Sequence, residues 1–264
     1  MPESVFARIV CGVDGTAAST VAVRRAADVA DADSRLLLVT VADETAVAAA
    51  SAGAAGIVLP PAADAGREWL EQALAVVRAE FPRLRTETSV LDGPLLPTLL
   101  QALADSKATL AVAGRHGHSR LAGLVLGSAT TALLHDAPCS VLVAGDSGAD
   151  RFPTSIVVGY DGSEQAGDAV VAAVALAHRT EAALQALCAT GGKDVDLDRL
   201  QARLTELAPG VSLAVQDGKP ADVLLAQECD LLVLGSRGLH GLKALGSVSE
   251  RVAHKADCSV LVVR

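Results

Sequence analysis

Aromatic residues are nearly absent from this chain, which has three phenylalanines, one tryptophan and one tyrosine in 264 residues. A surface that grips single strands of nucleic acid by stacking needs more of them. The formal charge of −9, with no basic run to offset it, also excludes broad binding to a phosphate backbone. No apolar run approaches the ~18 residues that span a bilayer, so a membrane partner is not expected. No basic segment leads into an apolar stretch and a small-residue cleavage site, and a cytoplasmic location is the expectation. CxxC and zinc-ligand spacings are missing among Cys11, Cys139, Cys188, Cys229 and Cys258. These cysteines read as small buried hydrophobes in a reducing compartment.

About half the residues are hydrophobic and about a fifth are charged, enough to build a core. Alanine, valine and leucine dominate, which suits Val- and Leu-rich parallel strands covered by Ala-rich helices. The length fits two modest domains or one larger α/β domain, and an internal repeat decides between them. "IVCGVDGT" from Ile9 returns as "IVVGYDGS" from Ile156, and "APCSVLVAG" from Ala137 returns as "ADCSVLVVR" from Ala256. Between them, "LDGPLLPTLL" from Leu91 is echoed by "QDGKPADVLL" from Gln216, and "LAVAGRHGHSRLAGLVLGSAT" from Leu110 by "LLVLGSRGLHGLKALGSVS" from Leu231. Four blocks in one order mean a duplicated domain, expected over 1–147 and, in a shorter copy, 153–264. The extra length of the first copy includes "TAVAAASAGAAGIVLPPAADAG", a connection or lid leading to a helix near Trp69.

Alternation of short apolar runs with helical patterns predicts βα units. Strands are expected near Arg8–Val13, Leu36–Val41, Leu84–Val90, Leu110–Ala113 and Ser140–Ala144. The second set falls near Ser155–Tyr160, Ala183–Leu187, Val211–Val215, Leu231–Leu234 and Ser259–Val263. The fold class is therefore α/β, as two tandem, doubly wound, five-stranded parallel-sheet domains. Such a sheet binds ligands beyond the carboxyl ends of its strands, where the strand order reverses.

Asp14 and Asp161 directly follow the first strands. Each suits either a helix cap or acceptance from a sugar hydroxyl or exocyclic amine. After the fourth strand the first copy reads Gly114, two residues, Gly117, nine residues, Gly127 and Ser128; the second reads Gly235, Gly238, Gly246 and Ser247, two residues tighter. Glycines admit a close backbone, loop amides form an anion nest, and a helix N-terminus favours negative charge. Arg115 and Arg237 are read as equivalent, either solvated or neutralising phosphate. His116 and His118 lack a third ligand, so no metal site is assigned.

With these blocks in place the chain resembles the universal stress protein family in tandem form, over nearly its whole length in both halves. The resemblance implies an adenine nucleotide alpha hydrolase-like sheet of order 3-2-1-4-5. It also implies ATP or another adenine nucleotide as ligand, with Mg as its companion ion, and pairing of the halves along their fifth strands. By position, Asp14 and Val41 would contact base or ribose, and Gly114, Arg115, Gly117, Gly127, Ser128 and Ala129 would surround the phosphates. The second set is Asp161 and Ala189, then Gly235, Arg237, Gly238, Gly246, Ser247 and Val248. An unpaired apolar final strand such as Val260–Val263 invites association, so an internal pseudo-dimer is expected, with a homodimer open.

The leading function is a nucleotide-responsive stress regulator. The alternatives are a scaffold without nucleotide and a slow ATP hydrolase. Neither an SGGxDS loop nor GxxxxGK[ST] is present, and no nucleophile–base pair stands out, so at most weak hydrolysis is expected.

Overall fold

The computed structural model describes residues 5–43, 62–115, 126–146, 151–192, 194–236 and 245–264. The first half contains β1 (Arg8–Gly12), α1 (Ala17–Asp28), β2 (Arg35–Ala42), α2 (Ala62–Glu80), β3 (Arg85–Asp92), α3 (Leu95–Asp105), β4 (Leu110–Gly114), α4 (Ser128–Asp136) and β5 (Ser140–Ala144). The second contains β6 (Ser155–Gly159), α5 (Glu164–Thr180), β7 (Ala183–Ala189), α6 (Leu197–Leu207), β8 (Ser212–Gln216), α7 (Pro220–Leu225), β9 (Leu231–Gly235), α8 (Ser247–Lys255) and β10 (Ser259–Val263). All ten strands lie within two residues of their expected limits. Most of the long connection before α2 falls outside the described residues.

The strands form one sheet in the order β3-β2-β1-β4-β5-β10-β9-β6-β7-β8. Each half therefore has the order 3-2-1-4-5, and its own pairings are parallel. Between β5 and β10 the pairing is antiparallel, with Val141, Leu142 and Val143 opposite Val262, Leu261 and Val260. Sequence explains this layout. The Val- and Leu-rich strands β5 and β10 are buried throughout, as strands covered on both faces must be. By contrast, the outermost strand β3, RTETSVLD, is partly exposed along its length, and its charged residues protect a free edge.

Helices cover both faces. Thr16 starts α1 by accepting from the Ser19 N–H, and Ser163 starts α5 by accepting from the Ala166 N–H, each satisfying an otherwise orphaned amide. One apolar core joins Ile9, Leu110 and Leu142 to Ile156, Leu231 and Leu261. On the other face, Val141, Val143 and Leu134 join Leu232, Val260 and Val252. Both cores run through the β5–β10 seam.

Polar contacts close the seam. The Ser259 hydroxyl accepts from the Gly145 N–H at 3.1 Å, and the Ser140 hydroxyl accepts from the Arg264 N–H at 3.2 Å. The Arg264 guanidinium donates to the carbonyls of Leu134 and Ala137 at the end of α4. Reciprocally, Arg115 donates to the Ala253 carbonyl in α8 at 3.0 Å and to the Cys258 carbonyl at 2.7 Å. Each arginine crosses between the halves and places positive charge where a helix C-terminus presents unpaired carbonyls.

A second crossing lies at the end of α1. Arg25 pairs with Asp28 at 3.0 Å and stacks over the Phe152 ring, 4.3 Å from its centroid, while Arg179 of α5 donates to the Asp28 carbonyl at 3.5 Å. Burial pushes the Asp28 carboxyl up to about 6, although Arg25 pulls it down. A carboxyl raised on folding opposes stability as pH climbs from the unfolded value of about 3.9 through the folded one. Asp28→Asn is therefore expected to match the parent protein near pH 3.5 and to exceed it by on the order of 2 kcal/mol above pH 6.5. Denaturant melts across that range test this, and an advantage that is flat with pH or reversed counts against it.

Candidate functional site

In each half the order reverses between the first and fourth strands, at β1/β4 and at β6/β9, so the crevices open at those carboxyl ends. In the first half, Asp14 follows β1, and its Oδ1 accepts from the Thr16 N–H at 3.0 Å and the Thr16 hydroxyl at 2.6 Å. Gly15 makes the bend with φ +74, a conformation that favours glycine. Asp161 accepts from the Ser163 N–H at 3.0 Å, with Gly162 at φ +78. The helix caps are thus Thr16 and Ser163, and each aspartate braces its cap from the strand end.

At the fourth strands the two halves share a second device. The Thr130 hydroxyl donates to the Gly114 carbonyl at 2.9 Å, and the Ser249 hydroxyl donates to the Gly235 carbonyl at 2.8 Å. These bonds hold the N-termini of α4 and α8 at the ends of β4 and β9. Gly127 and Gly246 stand at the N-cap positions and offer no side-chain cap, so the leading amides of Ser128, Ala129, Ser247 and Val248 receive nothing from that residue. The Gly127 N–H donates to the Arg115 carbonyl at 3.0 Å, which ties the base of the first loop. Val41 and Ala189 are half-buried at matching places near the ends of β2 and β7.

Three features differ from what the sequence suggests. Gly114 and Gly235 are glycines because helix backbone lies against them: a Cβ would sit 2.6 Å from the Ala18 carbonyl oxygen and 2.4 Å from that of Gln165. Close helix packing already requires glycine there, without any phosphate. Next, β4 and β9 end at equivalent glycines, so Arg115 matches Ser236 and not Arg237. Finally, the Arg115 guanidinium is buried and serves the seam, where burial lowers its pKa. Gly117, Arg237, Gly238, His116 and His118 lie outside the described residues.

Sequence reading did not find the wall over the first turn. A Cβ on Gly15 would lie 2.4 Å from the Trp69 Nε1, so the chain's only tryptophan packs directly on the Asp14–Gly15 turn. Leu200 takes that place over Gly162, 2.5 Å from the equivalent position. The signal available was a lone aromatic in the helix that follows the extra segment. In the second half, Asp217 accepts from the Thr190 hydroxyl at 2.6 Å and the Gly192 N–H at 2.9 Å. These bonds, together with one from the Gly218 amide, hold its carboxyl below the usual range.

The sequence matches the Universal stress protein family over residues 6–145 and 189–264. It is 32% identical over 292 residues to Universal stress protein Rv2623 of Mycobacterium tuberculosis, covering 97% of this chain and 96% of that one. The chain therefore belongs to the universal stress protein family. In structure it is similar to a universal stress protein from Archaeoglobus fulgidus, with a TM-score of 0.69 at 18% identity over 99% of both chains. It is also similar to the cytoplasmic domain of a prokaryotic cation chloride cotransporter, with a TM-score of 0.61 at 12% identity over 97% of this chain and 94% of that one.

Gly114→Ala and Gly235→Ala are each expected to lower stability by about 1–3 kcal/mol, because the new methyl meets helix backbone. Urea denaturation without any added ligand measures this, and unchanged midpoints would return these glycines to a purely ligand-binding role.

Proposed function

We propose that this protein is a cytoplasmic stress regulator that binds an adenine nucleotide, ATP or AMP, in the crevice of its first half. The supporting observation is the juncture of β4 with α4. There Thr130 and the Arg115 carbonyl fix an N-terminus whose N-cap glycine supplies no side chain, beside the Asp14 turn. Fixed, uncapped amides at a helix start suit phosphate oxygens. Asp14 and Val41 would take base or ribose, and Gly117, Gly127, Ser128 and Ala129 would take the phosphates, with Gly114 shaping the strand end. Mg would arrive with the nucleotide, since no cluster of three or more His, Cys, Asp or Glu suited to a metal gathers among the described residues. Also among the described residues, no helix is long and apolar enough to cross a membrane.

The halves 1–147 and 153–264 would act as an internal pseudo-dimer, with nucleotide favouring one arrangement through its differential affinity. The family match in the second half begins at residue 189, so the Asp161 turn lies outside it, and this favours the first half as the working site. Asp161, Ala189, Gly235, Gly246, Ser247 and Val248 would form a second, narrower site. A contacts-only scaffold is the alternative, since the same fold serves unrelated proteins.

Two properties make the test clean. Gly127 has φ −58 and ψ 148, open to any residue, so Gly127→Leu obstructs the amides without straining the backbone. Trp69 reports locally. ATP at about a hundred times its Kd would add about 2.7 kcal/mol of stability, raise the melting temperature and change Trp69 emission. Gly127→Leu and Asp14→Ala would abolish both responses, while Asp161→Ala would leave the fluorescence change intact. No thermal shift, together with no nucleotide released from the purified protein, would sink the nucleotide reading and leave the scaffold.

A further inference from the structure

Because β5 and β10 run antiparallel, the amino ends of β9 and β10 lie at the same end of the sheet as the carboxyl ends of β4 and β5. A cavity of about 540 Å³ opens there, lined by Asp146 from the first half and by Cys229, Asp230, Asp257 and Cys258 from the second. Cys229 stands two residues before β9 and Cys258 one residue before β10. Ser259 is opposite Leu231 in the parallel ladder, which sets Cys258 beside Asp230 and Cys229 beside Asp257, so the two cysteines are diagonal neighbours on one cavity wall and their thiols interact. Both are half-buried, whereas Cys11, Cys139 and Cys188 are buried.

We propose that Cys229 and Cys258 form a dithiol that an uncharged peroxide oxidises to an intramolecular disulfide, at the end of the sheet shared with the first half's crevice. The two sulfurs are unequal. The neighbouring Cys229 thiol and the Arg115 charge favour the Cys258 thiolate, whereas Cys229 has the Asp230 carboxylate beside it. A low-pKa thiol beside a resolving thiol is the arrangement that peroxide-sensing cysteines require. Buried Cys11 and Cys188 are shifted the other way, since burial raises both.

The chemistry balances with one peroxide. The Cys258 thiolate attacks one oxygen of H2O2, the O–O bond breaks, and a sulfenic acid forms as hydroxide leaves. That hydroxide takes the Cys229 proton and becomes water. The Cys229 thiolate then attacks the Cys258 sulfur, the S–O bond breaks, and the departing hydroxide takes up the proton first lost by Cys258. Two thiols and one peroxide give one disulfide and two waters. The cavity wall favours this oxidant: Asp146, Glu228, Asp230 and Asp257 line it, with no Lys or Arg among the lining residues, so anionic disulfides such as oxidised glutathione are repelled.

Formation of the bond would reach the base of the first half's loop through Arg115. Arg115 opens the glycine loop after β4 and donates to the Cys258 carbonyl at 2.7 Å, so movement of Cys258 bears on the base of that loop.

The full-length protein, reduced and freed of reductant, is treated with equimolar H2O2, alkylated under denaturing conditions and digested without reduction. The expected result is loss of two of the five alkylatable thiols and a cross-link between the peptide containing Cys229 and the peptide Ala256–Arg264. Cys229→Ser should give no cross-link and a Cys258 sulfenic acid that dimedone traps, while Cys258→Ser should leave Cys229 unmodified. Five intact thiols at that dose, or dimedone labelling of Cys229 ahead of Cys258, would overturn the proposal. A faster reaction with oxidised glutathione than with peroxide would overturn the assigned oxidant.

Discussion

The antiparallel pairing of β5 with β10 is the constraint on which the rest of the molecule depends. Each half ends in a five-residue strand buried along its whole length, and an edge of that kind left unpaired would recruit another chain. Pairing the two removes both hazards at once. It leaves β3 and β8, which are more polar and more exposed, as the outer edges of the sheet. It also merges the cores on both faces and sets Arg115 and Arg264 across the seam onto the helix ends of the opposite half.

The same pairing fixes where chemistry can occur. Strands of the two halves run in opposite directions, so the two crevices open at opposite ends of the sheet. Each crevice therefore has the amino ends of the other half's strands as its neighbour. This is why residues with no sequence proximity, Arg115, Asp146, Cys229 and Cys258, gather at one end. It also gives the second half a way to act on the first without a ligand of its own.

Much of the fold was legible because parallel strands covered on both faces leave unmistakable apolar runs, and because the repeat displayed each run twice. The turn aspartates, Gly127 and the start of α4 were legible for the same reason. What could not be read were contacts made only by tertiary packing. Arg115 opens a glycine loop and looked like a phosphate ligand, yet its guanidinium reaches carbonyls more than 130 residues away. Gly114 looked like a ligand glycine, yet helix backbone already requires it. Trp69 over Gly15 and the thiol pair depend on which elements become neighbours, and no local pattern announces either.

Hydrogen exchange of the intact chain, read amide by amide, is the most direct test of the seam. If β5 and β10 lie at the centre of one cooperative sheet, their amides should be among the slowest in the protein and exchange only with global unfolding. Amides of β3 and β8 should exchange sooner. Protection of β5 and β10 no better than that of the outer strands would contradict the account, because it would mean that the halves meet without the strand pairing that joins their cores.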